Sequence, residues 1–275
     1  MKPAKTLAFM LFLTAGISTV FAAETQDSTA PEKTTKKTTK KAAKSKTAKP
    51  KKEVKAVPLE EAIKIATTPT LAQKRARRLE QKKKYTAKNK DKIKILMLGD
   101  SITQQWEDKH ATEAYQKYIV PYNVLNLGCN GDRTENTLWI VEKSGILEMI
   151  KPNLVVLLIG TNNRNHHLST VAGIKRIVEQ VRQRYPEAPI LLYAIFPRGG
   201  NNKNRLRIEN EKVNAEIEKL CNGKDIIWVD IRKKFVSPKG LLNRELLPDT
   251  LHPKTSKGYA VWGESLKPYF EKYGK

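Results

Sequence analysis

Beyond residue 92 the chain alternates short apolar runs with longer stretches whose apolar residues return every three or four positions. The runs at 93–98, 124–127, 154–159, 190–196 and 226–231 are dominated by Ile, Leu and Val, with little polar–apolar alternation. Strands buried on both faces read this way, so the runs predict a parallel sheet covered by helices. Between them, 170–185 gathers Val171, Ile174, Ile177, Val178 and Val181 on one helical face. Residues 204–220 do the same with Ile208, Val213, Ile217 and Leu220, and 255–273 supplies a closing helix. Five such units predict a three-layer α/β/α sandwich on a five-stranded parallel sheet, with right-handed crossovers. Ligands of these sheets bind at the carboxyl ends of the strands.

Before residue 93 the pattern is different. Residues 58–92 carry helix formers interrupted around Pro69, and the second half, LAQKRARRLEQKKKY, offers only Leu71, Ala72, Ala76 and Leu79 for packing. Residues 23–57 are mostly Lys, Thr, Ala and Pro, too poor in large apolar side chains to offset the entropy of ordering. A disordered tether is expected there. Residues 1–22 open with Lys2 and Lys5, run apolar from Leu7 and end in Val20-Phe21-Ala22, the form of a secretory signal peptide cut after Ala22. An uncleaved membrane anchor is the other reading of that stretch. Export, to a periplasm or beyond the cell, is the expectation. The domains are then a leader (1–22), a linker (23–57), a basic helical segment (58–92) and the α/β domain (93–275).

The formal charge of +24 is unevenly placed. Residues 1–94 carry 25 Lys and Arg against 8 Asp and Glu, while the remainder carries 27 against 20. The basic part suits an anionic polymer or membrane surface, and equally a solvated linker and helix face; no specific nucleic-acid partner is expected. Two cysteines, Cys129 and Cys221, are too few for a disulfide framework and are expected as free thiols.

Each predicted strand ends in small or polar residues. Gly99-Asp100-Ser101 follows the first, NLGCNGD (126–132) the second, and Gly160-Thr161-Asn162-Asn163 the third. Phe196-Pro197-Arg198-Gly199 follows the fourth, and Pro248-Asp249-Thr250-Leu251-His252-Pro253 lies beyond the fifth. Asp100 or Ser101 alone would serve as a helix cap. Together with the other loops, Ser101 has the partners of a nucleophile. A neutral imidazole takes the serine proton, and a carboxylate on the other ring nitrogen fixes the tautomer. Asp249 and His252, three apart between prolines, make that pairing locally, and Pro253 keeps His252 out of helical geometry. The Ser101 amide, the Gly131 amide and the Asn162 side chain are candidate oxyanion donors. Such chemistry needs neither metal nor cofactor. His166 and His167 have no carboxylate at ligand spacing and read as a solvated loop. Asp132 reads as an orienting turn residue, and Trp106 and Trp262 as packing residues.

These blocks, GDSIT, NLGCNGDRT, GTNN and DTLH, resemble in order those of the GDSL/SGNH hydrolase superfamily of esterases and lipases. The stretches LVVLLIGTNN and FPRG look most like its platelet-activating factor acetylhydrolase catalytic-subunit branch. The resemblance implies a flavodoxin-like fold, a Ser101–His252–Asp249 triad, and an oxyanion hole of Ser101, Gly131 and Asn162. It also implies an acyl pocket closed by Ile102, Thr161 and Leu251, whose branched side chains favour a short acyl group, acetyl first. Cys129-Asn130 and the polar 163–167 loop depart from the common pattern and bear on substrate fit. The expected function is an exported serine esterase acting on short-chain esters, with an O-acetylated carbohydrate as first substrate. The alternatives are a lysophospholipase or lipase-type esterase, and a binding module that keeps the fold without catalysis.

Overall fold

The computed structural model describes residues 57–164 and 166–275. The expected leader, and all but Val57 of the expected linker, lie outside the described residues. Five strands, β1 (Ile95–Gly99), β2 (Val124–Asn126), β3 (Leu154–Leu158), β4 (Ile190–Tyr193) and β5 (Ile226–Val229), form one parallel sheet in the order β2-β1-β3-β4-β5. Among the described residues the α-helices are α1 (Leu59–Thr67), α2 (Ala76–Asn89), α3 (Ser101–Gln104), α4 (Thr112–Tyr118), α5 (Thr134–Lys143), α6 (His167–Arg184), α7 (Arg205–Ile217) and α8 (Ser256–Tyr273). The predicted α/β/α sandwich is therefore observed.

Strand alternation divides the core into two layers. Leu96, Leu98, Val155, Leu157, Ile190 and Leu192 pack with residues of α2, α5, α6 and α7. Ile95, Met97, Leu154, Val156, Leu158, Leu191 and Tyr193 pack on the other face with α4 and α8. Trp106 and Trp262 are fully buried in that second layer, their rings 5.4 Å apart and Tyr259 beside both, which gives them a packing role.

Two strands stop two or three residues short of the predicted runs for local reasons. After Tyr193 the backbone of Ile195 bonds to the side-chain amide of Asn214 on α7, at 2.8 and 3.0 Å, so its pairing leaves the sheet. Beyond Val229, Asp230 accepts from the Arg232 amide at 2.9 Å and turns the chain away.

The 58–92 segment packs onto the α/β domain, and the described residues fall in one compact unit. Ala62 and Ala66 of α1 are buried. Gly173 of α6 lets α1 approach closely, since a Cβ there would lie 2.8 Å from the Ala66 carbonyl oxygen. Thr134 Oγ1 donates to that same oxygen at 3.0 Å. The basic face of α2 is partly turned inward: Arg78 and Lys82 share Glu107 at 3.0 and 2.6 Å.

Candidate active site

The sheet reverses its winding direction at β1, with β2 on one side and β3 on the other. That crevice is where α/β sheets bind ligands, and Ser101 opens α3 immediately beyond β1. Asp100 caps this helix, its Oδ1 accepting from the Ile102 amide at 2.9 Å. Ser101 Oγ lies 2.8 Å from His252 Nε2, and His252 Nδ1 lies 2.8 Å from Asp249 Oδ2. The Asp249 carboxylate also accepts from the Leu251 amide at 3.0 Å and the His252 amide at 2.8 Å, and Lys254 Nζ stands 3.0 Å from Oδ2. Partial burial would raise this carboxyl, but the bonds from His252 and Lys254 outweigh it and hold Asp249 well below the usual carboxylate range. An ionised Asp249 only accepts, so Nδ1 carries the proton and Nε2 faces the serine as an acceptor.

The loop after β2 is fastened to the serine helix. Asn126 Nδ2 donates to the Thr103 carbonyl at 2.8 Å while its Oδ1 takes the Gly128 amide at 2.9 Å. Gln104 Oε1 takes the Asn130 amide at 2.7 Å. Gly131 follows with φ 71°, a left-handed conformation that glycine adopts without strain. Among the described residues, neither the Ser101 nor the Gly131 amide donates to a protein acceptor. Asn162 comes from the turn after β3; its Nδ2 donates to the Asp132 carbonyl at 3.0 Å, leaving the second hydrogen available. Asn163 locks the same turn to α5 through the Thr134 amide and hydroxyl, at 3.2 and 2.9 Å.

Ile102 is buried in the core layer beneath the serine, and Tyr259 Oη donates to its carbonyl at 2.8 Å. Thr161 is buried too, its hydroxyl accepting from Arg198 at 3.1 Å and Asn210 at 3.2 Å. Leu251 is half-buried beside the histidine. The FPRG arginine thus steadies the turn that carries Asn162, a task its sequence position did not announce.

Two carboxyls near the serine are buried. Burial pushes Asp100 up to about 7, against the Ile102 amide and Arg198. Burial also pushes Asp132 up to about 7, with Arg75 pulling it back. Asp132, expected as a turn residue, closes the turn with its amide donating to the Cys129 carbonyl at 3.1 Å, and its side chain also pairs with Arg75 at 2.9 Å. The burial of Cys129, with Asp132 close by, raises its thiol to about 12, so it has no thiolate character near neutrality. Cys129 and Cys221 are both free. His166 caps α6 by accepting the Leu168 amide at 3.3 Å, and His167 lies 3.4 Å from Glu209, so this pair is more engaged than a solvated loop. Among the described residues no cluster of three or more His, Cys, Asp or Glu side chains is placed to hold a metal, and no helix is long and apolar enough to cross a membrane.

A doubly covered parallel sheet with serine, imidazole and carboxylate in line at its carboxyl edge is the build of an α/β/α ester hydrolase. Residues 97–261 match the GDSL-like Lipase/Acylhydrolase family, and the chain belongs to it. It is 34% identical over 180 residues to platelet-activating factor acetylhydrolase IB subunit alpha1 of Pongo abelii, across 64% of this chain and 75% of that protein. It is 36% identical over 171 residues to subunit alpha2 of Rattus norvegicus, across 60% and 71%. A GDSL-like lipase structure from Bacteroides thetaiotaomicron shares the fold at TM-score 0.56 and 21% identity, covering 70% of this chain and 98% of that one.

Proposed function

We propose that this hydrolase is an exported serine esterase that removes short acyl groups, acetyl first, through an acyl-enzyme on Ser101. The observation that carries the reading is the pair of 2.8 Å contacts running from Ser101 Oγ through His252 to Asp249. As Oγ attacks the ester carbonyl carbon, its proton passes to His252 Nε2, and Asp249 stabilises the resulting imidazolium. The carbonyl oxygen becomes an oxyanion held by the Ser101 and Gly131 amides and Asn162 Nδ2. The C–O bond to the alcohol then breaks, and the imidazolium proton goes to the leaving oxygen. Water, deprotonated by His252, attacks the acyl-enzyme, and its proton returns to Ser101 Oγ as the carboxylic acid leaves.

A small acyl group is supported by Ile102 and Thr161, both buried, with the Ile102 backbone and the Thr161 hydroxyl held by hydrogen bonds. The acetylhydrolase names of the relatives agree with it. For the alcohol half we favour an O-acetylated carbohydrate met outside the cytoplasm, export resting on the N-terminal sequence. A lipase-type substrate is the second reading, favoured by the platelet-activating factor named in those relatives. A non-catalytic binding module would have no use for the intact relay. Initial rates on p-nitrophenyl acetate, with Ser101→Ala as control, test the esterase reading. A panel of acetylated glycans, lysophospholipids and chain-graded esters then separates the substrates. No serine-dependent turnover of any of them refutes it.

A further inference from the structure

Arg75 enters the oxyanion loop from outside the span matched to the family. It closes the turn Gln73–Arg75 ahead of α2 and is more than nine-tenths buried. Its Nε stands 2.9 Å from Asp132 Oδ1, and its Nη2 donates to the Asn130 carbonyl oxygen. A buried guanidinium needs partners for its charge, and the Asp132 carboxyl and the Asn130 carbonyl supply them together.

Where these contacts fall matters more than their strength. The Asn130 carbonyl and the Gly131 N–H belong to one planar trans peptide and point in opposite directions. A cation on that oxygen fixes the direction of the N–H and polarises it. The other contact reaches the second donor. Asp132, gripped through its side chain, offers its backbone oxygen to Asn162 Nδ2 at 3.0 Å, so the aim of that amide also depends on Arg75. Arg78 braces the start of the loop, with Nε donating to the Gly128 carbonyl at 2.8 Å.

We propose that Arg75 is a positioning residue that sets the direction of the Gly131 and Asn162 donors of the oxyanion hole. This rests on the esterase reading above. The rival is an ion pair that merely holds the helical segment on the domain; its loss would lower stability without a selective effect on kcat.

The test compares wild type, Ser101→Ala, Arg75→Ala, Arg75→Lys and Arg77→Ala, an exposed neighbour, on p-nitrophenyl acetate. Arg75→Ala is expected to lower kcat about 10- to 100-fold with KM within about threefold, as a small misplacement of catalytic donors does. Arg75→Lys falls between, because one ammonium cannot bridge Asp132 and the Asn130 carbonyl as the fork does. Arg77→Ala matches wild type. Guanidinium chloride at a few tens of millimolar, far below denaturing levels, restores much of the lost kcat in Arg75→Ala, and sodium chloride at equal concentration does not. An unchanged kcat, a loss confined to KM, or a loss that guanidinium fails to recover overturns the proposal. If Arg75→Ala does not fold, Arg75→Lys decides: a lowered kcat at constant KM supports it, and an unchanged kcat overturns it. Wild type no faster than Ser101→Ala defeats the esterase reading and this one with it. Turnover by wild type alone keeps the esterase reading whatever the Arg75 variants do.

Discussion

Replacing Asn162 by alanine removes one donor and leaves the Ser101–His252–Asp249 relay intact. Asn162 Nδ2 gives one hydrogen to the Asp132 carbonyl at 3.0 Å, which fixes the amide so that the other is aimed in advance. A fixed donor acts most on the charge that develops in the transition state, so its loss should appear in kcat and hardly in KM. One such donor contributes about 2.7–4 kcal/mol, or about 10²–10³ in kcat. A second effect follows from the same bond. The carbonyl of the buried Asp132 loses its partner, costing about 1–3 kcal/mol of stability. The two effects separate by assay: kcat and KM from initial rates on p-nitrophenyl acetate, stability from urea unfolding. Asn162→Asp keeps the shape but replaces the donor with an acceptor facing two oxygens, so its kcat should fall below that of Asn162→Ala. An alanine variant within about threefold of wild type in kcat, or one altered only in KM, would refute the role of Asn162 as an oxyanion donor.

Other expectations follow from the same geometry. Ser101→Ala should fold normally and lose about five to six orders of magnitude in kcat, as triad knockouts do; near-native rates by active-site titration and steady-state assay would remove Ser101 from the mechanism. Acetyl esters should exceed octanoyl esters at least about tenfold in kcat/KM, since overfilling a packed site costs roughly 1–3 kcal/mol; equal rates along the series favour the lipase-type reading. Asp100, held near 7 by burial against an ordinary carboxyl near 4, keeps its proton in the folded chain where the unfolded chain has lost it. Stability should therefore fall as pH rises from about 4 to about 7 and level off above, by up to a few kcal/mol from this group. Urea midpoints of Asp100→Asn should show a shallower slope, and equal slopes would contradict the shift. Deleting residues 1–57 should spare turnover of a neutral soluble ester and weaken retention on an anionic polymer. That retention should also drop with salt, because exposed charges are screened beyond about 8 Å at physiological ionic strength; retention unmoved by either change makes the segment a spacer.

The sheet was legible because its strands are buried on both faces and leave an unbroken apolar signal, as LVVLL at β3 does. The Ser101, Gly131 and Asn162 loops were legible because each follows a strand end, where residue type carries chemistry, and the Asp249–His252 turn because its two residues pair locally. What escaped was set by tertiary contact. LAQKRARRLEQKKKY reads as a solvated basic helix, since burial of Arg75 depends on Asp132, 57 positions further on in the sequence. The support of Thr161 by Arg198 and Asn210 joins two loops and helix α7, which no local spacing connects. Helix α5 went unmarked because its sequence, TENTLWIVEK, opens with polar residues that are buried by contacts with α1 and the Asn163 turn.

The local costs of this fold gather where its chemistry does. Thr250, between Asp249 and the histidine turn, has φ 66°, a left-handed conformation that a β-branched residue adopts only under strain of about 1–3 kcal/mol. The turn is held there from both sides: the Thr250 amide donates to the Leu247 carbonyl at 3.0 Å, and the Gly199 amide donates to the Thr250 carbonyl at 2.9 Å. The chain thereby folds back sharply enough for one carboxylate to collect the Leu251 amide, the His252 amide and the His252 ring. Asp100 and Asp132 are comparable cases, carboxyls buried at the expense of desolvation to hold a helix start and a loop. None of the three adds to the stability of the core. Each holds in place a backbone segment that the proposed acyl transfer uses, and the surrounding apolar layers offset the cost.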